Sequence, residues 1–185
     1  MKKTLKLVMA AMFCALSCVA TMVIRIPSPM NGYVNLGDCF VLLGGWILGP
    51  YYGFLAGGVG SALADFLLGY GHYVPGTFVI KGLMGLAAAL LFKKLGGDTK
   101  SLVISGFIAE VIMVLGYFGF ASLLLGKGLG AARSIPGNIF QGAVGLIAGT
   151  LLYLFAKRAK LIDVFEKNTN DISPRQRGLL YEKIY

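Results

Sequence analysis

Long apolar runs alternate along this chain with short stretches rich in glycine, proline and charge. The first run covers residues 5–24 and stops at Arg25-Ile26-Pro27-Ser28-Pro29, where two prolines forbid a continued helix. A polar, hairpin-like loop then reaches Asp38. Residues 39–48 make a second, short run that breaks at Gly49-Pro50, and residues 51–68 make a third. The loop Gly69-Tyr70-Gly71-His72-Tyr73-Val74-Pro75 leads to a fourth run over 77–92, which ends in Lys93-Lys94. A fifth covers 102–125. A glycine-rich loop carrying Lys127 and Arg133 connects it to a sixth, 135–156, which ends in Lys157-Arg158. The runs are continuous rather than of period two, so they predict helices and not the strands of a membrane barrel.

Several runs approach the roughly 20 residues that a membrane-spanning helix needs. The pattern therefore predicts an all-α integral membrane protein of six transmembrane helices, with the short second one tilted or partly buried. Residues 1–158 form that domain, and 159–185 form a charged, mildly amphipathic cytoplasmic tail. Composition agrees: 57% hydrophobic residues against 14% charged, and a mean hydropathy of +0.76, leave too little polar surface to coat a water-soluble globule. Lys2-Lys3 and the apolar run to Cys18 also fit a secretory signal. Hydrophobicity continues beyond it, however, where a polar mature domain would be expected.

The net charge of +9 raises the question of nucleic acid. The 17 Lys and Arg flank the apolar runs instead of clustering with aromatics on one module, so no nucleic-acid partner is expected. Their distribution reads as a topology signal. With a cytoplasmic N-terminus, thirteen basic residues fall inside, three, Arg25, Lys127 and Arg133, fall outside, and Lys81 lies within a span. Both termini are then cytoplasmic in a bacterial cell membrane. Cys14, Cys18 and Cys39 lack metal-ligand spacing with His72, the single histidine, so neither a metal site nor a disulfide framework is expected.

Ionisable groups inside spans cost about 2.5–3.5 kcal/mol each on insertion scales and call for a partner or a task. Here they are Asp65, Lys81 and Glu110. In the expected topology Asp65 lies near the outer end of the third span, Lys81 a turn inside the fourth, and Glu110 at mid-depth in the fifth. Asn138 and Gln141 open the sixth. The adjoining loops add Tyr33, Asn35, Asp38, Tyr70, His72 and Tyr73 on the same side. Aromatic faces with a few fixed donors and acceptors suit a flat polar heterocycle. Plainer readings stand beside this one. Asp65 and Lys81 could simply pair with each other, stapling two spans. Glu110, Asn138 and Gln141 could be interhelical glue, the tyrosines interfacial belt residues, and His72 incidental.

Small residues form a second pattern. Gly49, Gly53, Gly57, Ser61 and Asp65 recur every four residues along one helix stripe, which permits close backbone approach inside the chain or with a partner. Ala11 and Ala15 repeat the spacing in the first span.

Taken together, Ala11-Met12-Phe13-Cys14-Ala15, Asn35-Leu36-Gly37-Asp38, Gly49-Pro50-Tyr51-Tyr52-Gly53, residues 57–65 and residues 75–82 resemble the substrate-binding S components of energy-coupling factor (ECF) vitamin transporters. The resemblance covers residues 2–158 and implies the S-component fold. It further implies a binding subunit that captures a vitamin from outside and works with a membrane T component and two cytoplasmic ATPases. Ala11 and Ala15 match the alanines that meet the T component in that family. Segments 35–38 and 75–82 are most similar to the riboflavin, pyridoxine or hydroxymethylpyrimidine branch. The single Trp46 sits away from the outer pocket, which favours the smaller, one-ring ligands over riboflavin. The substrate-binding residues expected are Asn35, Asp38, Asp65, Tyr70, Tyr73, Lys81, Glu110, Asn138 and Gln141. No Gly-x-x-x-x-Gly-Lys-Ser/Thr phosphate loop occurs, so the chain is expected to hold no cofactor, with ATP used by partner subunits. A membrane enzyme using Asp65, His72 and Glu110 lacks a nucleophile or metal motif. A solitary secondary transporter lacks similar internal halves.

Overall fold

A computed structural model describes residues 2–28 and 32–170. Helix α1, Lys2–Val23, is followed by an antiparallel pair, β1 (Arg25–Ser28) and β2 (Gly32–Asn35), with Arg25 opposite Asn35 and Pro27 opposite Tyr33. The Tyr33 side chain lies outside the described residues. Helix α2 runs Gly37–Leu48 and α3 Pro50–Leu67. Gly49, at φ +86°, makes the left-handed turn between them, and Pro50 supplies a preset φ to the first turn of α3. Helix α4 covers Val74–Lys94 and α5 Thr99–Gly119, the latter capped by the Asp98 carboxylate, which accepts from the Ser101 amide at 2.8 Å. Helix α5 continues into a π-turn, Phe120–Leu124, then a 3-10 segment, Gly128–Ser134, before α6 (Ile135–Arg158). Lys160, at φ 58°, ends that helix, and a last one, α7, follows at Leu161–Asn170.

Helices α2, α3 and α4 meet through backbone. A Cβ on Gly45 would fall 2.5 Å from the Gly85 carbonyl oxygen, and one on Gly85 would fall 2.5 Å from that of Gly53. The small-residue stripe is thus used inside the chain: Gly53 faces Gly45, while Gly57 faces Val41 and the Lys81 carbonyl. Trp46, Phe92 and Tyr153 form an aromatic knot in the half of the bundle nearer the N-terminus, with ring centroids 5.5–6.5 Å apart. The Trp46 indole donates to Ser105 Oγ at 3.0 Å.

The outside of the bundle is apolar. Leu7, Phe66, Phe107, Leu115, Ile147, Leu151 and Phe155 are each at least 60% exposed, a surface suited to lipid rather than water. Among the described residues, four helical stretches are long and apolar enough to cross a membrane: α1, α4, α5 with its π-turn, and α6 with the 3-10 segment leading into it. Helix α2, at 12 residues, is a shorter apolar helix enclosed by its neighbours.

Candidate functional site

A cavity of about 640 Å³, counting its open mouth, lies at the end of the bundle away from the N-terminus. Helix α1 brings Thr21 to it and β2 brings Asn35. Helix α3 contributes Ser61 and Asp65, and the α3–α4 connection contributes Tyr70 and Tyr73. Thr77 and Lys81 come from α4, Tyr117 from α5, Ser134 from the end of the 3-10 segment, and Asn138 and Gln141 from the start of α6.

These side chains are wired into one network. Asn35 Oδ1 accepts from the Gly37 amide at 2.8 Å, an Asx-type turn that starts α2, and from Thr21 Oγ1 at 3.3 Å. The Asn35 amide N–H and side-chain Nδ2 both donate to Gln141 Oε1, at 3.0 and 3.2 Å. Gln141 Nε2 in turn donates to Asp38 Oδ2 at 2.7 Å, and the Lys81 ammonium forms an ion pair with Asp38 Oδ1. Lys81 also sits 5.5 Å above the Tyr117 ring, a cation–π distance. From Tyr117 a second branch runs by Oη to Thr77 Oγ1 at 3.0 Å, and from Thr77 to Asp65 Oδ2 at 2.5 Å. Lys81 therefore touches both branches.

The pairing of Asp65 with Lys81, considered from the sequence, is overturned. Helix α2 begins at Gly37, two residues earlier than the hydrophobic run suggests. That places Asp38 in its first turn, fully buried, and not in a loop. Lys81 is consequently matched by Asp38, while Asp65 holds α4 through Thr77. Gly37 makes this possible, since a Cβ there would strike Thr21 Oγ1 at 2.1 Å.

Of the residues singled out in the sequence, Asn35, Asp65, Tyr70, Tyr73, Lys81, Asn138 and Gln141 line the cavity. Asp38 and Glu110 lie behind its wall. Glu110 is 5% exposed, with its carboxyl set beside that of Asp38. Gly142 and Gly145 of α6 make room for it, with the Gly145 Cβ position falling 3.0 Å from Glu110 Oε1 and 2.7 Å from Asp38 Cβ. His72 is exposed and its ring lies 4.8 Å from that of Tyr73. Lys127 reaches across the mouth to Tyr73 Oη at 3.1 Å.

Thr21, Thr77, Tyr117 and Ser134 are cavity residues that the sequence does not single out, and Ser61 figures there only in the small-residue stripe. Helical spacing carried a signal for three of them: Ser61 precedes Asp65 by four residues, Thr77 precedes Lys81 by four, and Tyr117 follows Glu110 by seven, each on a shared helix face. Ala11 and Ala15 are exposed near the middle of α1 and do not line the cavity.

The lipid-compatible bundle with a polar cavity buried at one end defines a multi-pass membrane protein. The chain belongs to the family described as ECF-type riboflavin transporter, S component, whose model matches residues 1–158. Members of this family are transport subunits and not enzymes. A solved structure described as "Structure and mechanism of the S component of a bacterial ECF transporter" has the same fold, with a TM-score of 0.69 at 24% identity over 84% of this chain and 97% of that one. Among curated proteins, an uncharacterized protein in gap 3'region of Pyrococcus woesei is 39% identical over 76% of this chain and 94% of its own length. The thiamine precursor transporter HmpT of Lactococcus lactis subsp. cremoris (strain MG1363) is 25% identical over 90% of this chain and 96% of its own length.

Proposed function

We propose that this chain is the substrate-capturing subunit of an ATP-driven ECF importer, and that its ligand is a one-ring heteroaromatic vitamin or precursor of the hydroxymethylpyrimidine or pyridoxine type. The observation that carries the reading is the cavity network itself. Lys81, Asp65, Asn35 and Gln141 offer a fixed cation, an anion and two amides around a small space, enough to orient ring nitrogens and hydroxymethyl or amino groups. The Tyr73 and Tyr117 rings are 6.4 Å apart at 61°, a wedge better fitted to one ring than to a wide parallel slab. Similarity to a thiamine precursor transporter supports the same choice, because hydroxymethylpyrimidine is such a precursor. Riboflavin is the second reading, favoured by the description of the matching family model.

The family membership supports a wider proposal for the assembly. Six spans, the short α2 included, would carry both termini to the cytoplasmic side, with the cavity facing out and residues 159–185 as a cytoplasmic tail. Ala11 and Ala15, exposed on α1, would meet the T component, and two ATPases would use the ATP. Calorimetry on the purified protein in detergent with hydroxymethylpyrimidine, pyridoxine, riboflavin and thiamine tests the ligand. Submicromolar binding of a one-ring compound, weakened at least tenfold by Asp65→Asn, is the expected result. Tight binding of riboflavin alone would move the assignment to the second reading, and no heat from any of the four would overturn both.

A further inference from the structure

The end of the bundle opposite the cavity holds the other concentration of charge. Lys93, Lys94, Lys157, Arg158, Lys160 and Lys167 are all exposed there, against exposed Asp98 and Asp163. Helix α7 lies across this end, packed on α1 and α6. It leaves α6 through a two-residue turn, so it starts at the level where that long apolar helix ends.

The apolar face of α7 is only half used by the protein. Leu161, Ile162, Val164 and Phe165 span an arc of about 160° at roughly 100° per residue. Ile162 and Phe165 occupy one side of it and are 6% and 9% exposed against the bundle, whereas Leu161 and Val164 on the other side are 59% and 56% exposed. Asp163 and Lys167 take part of the remaining arc and face outward. Helix α6 presents Phe155, 69% exposed, just before the turn, so the uncovered side of α7 adjoins the lipid-facing surface of the bundle.

We propose that α7 is an interfacial helix that seats Leu161 and Val164 at the boundary of an anionic bilayer, with Lys157, Arg158, Lys160 and Lys167 against the lipid phosphates. An apolar side at the acyl boundary and cations at headgroup level are what such helices need. The attraction is electrostatic and is screened within about 8 Å at physiological ionic strength. It therefore depends on lipid charge and on salt, unlike the packing of Ile162 and Phe165.

Hydrogen exchange of residues 161–170 in the full chain, reconstituted into bilayers of phosphatidylcholine alone or with phosphatidylglycerol, reads this directly. The expected result is exchange slower by about tenfold or more in the anionic bilayer, returning to the neutral-bilayer rate at high salt. The variant Lys157→Gln/Arg158→Gln/Lys160→Gln/Lys167→Gln should exchange at the neutral-bilayer rate in both, with Trp46 emission unchanged as the check on folding. Leu161→Gln/Val164→Gln should lose protection in both. Equal exchange of the unaltered chain in the two bilayers overturns the proposal. So does protection that appears only when the other transporter subunits are added, because the face would then belong to a protein partner.

Discussion

Replacing Lys81 by Met removes one ammonium from a place where nothing can take over its work. The Lys81 and Asp38 side chains are 3% and 0% exposed. Asp38 would keep the Gln141 Nε2 donor but no cation. It would also face the Glu110 carboxyl across the space left by Gly145, with no cation between them. Breaking a buried pair in this way costs about 3–5 kcal/mol, against 0–1 kcal/mol for an exposed pair. At about 2–4 °C per kcal/mol for a chain of this length, the midpoint of thermal unfolding should fall by roughly 6–20 °C. Asp38→Asn should do comparable damage by stranding the lysine. The double variant Asp38→Asn/Lys81→Met buries no uncompensated charge at this pair and should recover most of the loss. The assay is thermal unfolding of the ligand-free protein in detergent, followed by Trp46 emission at one pH for all four proteins. A drop of less than about 2 °C for Lys81→Met, or a double variant that loses the sum of the two single losses, would refute the reasoning.

Gly85→Ala should destabilise by about 1–3 kcal/mol, since its Cβ would meet the Gly53 carbonyl, whereas Gly119→Ala, with open space around it, should be neutral or stabilising by up to about 1 kcal/mol; thermal unfolding separates them. Trp46→Phe gives up a buried hydrogen bond and ring volume at a cost of about 1–3 kcal/mol, yet should leave ligand affinity in calorimetry unchanged because the site is at the other end. The Ser101 hydroxyl and amide hold the Asp98 carboxyl below the usual carboxylate range. A depressed folded value means the cap stabilises above the unfolded value of about 3.9 and is lost as pH falls through the folded one. Asp98→Ala should therefore lower the unfolding midpoint at neutral pH, and the gap should close on acidification.

The long helices were legible because lipid demands continuous apolar runs, and the turns were legible because Gly49-Pro50 and the 69–75 loop carry their own stereochemistry. The near edge of α2 was not. Its first turn is polar and is started by the Asn35 side chain, a device invisible to hydropathy. That misplacement hid the partner of Lys81. Candidate site residues were found by charge and amide character, which is why Asp65, Lys81 and Gln141 stood out while Thr21, Thr77 and Tyr117 did not. Hydroxyls are common on lipid-embedded helices, and only three-dimensional proximity distinguishes one that lines a cavity.

The contact through Gly45, Gly53 and Gly85 has a bearing on how such a scaffold can diverge. Three helices touch backbone to backbone there, with no side chains to act as compressible spacers, so their separation has no adjustable setting. The wall residues of α3 and α4, Ser61, Asp65, Thr77 and Lys81, stand on this fixed frame. Retuning the cavity for a different ring would therefore proceed by exchanging wall side chains or remodelling the connections that carry Asn35, Tyr70 and Tyr73, while the frame beneath stays the same.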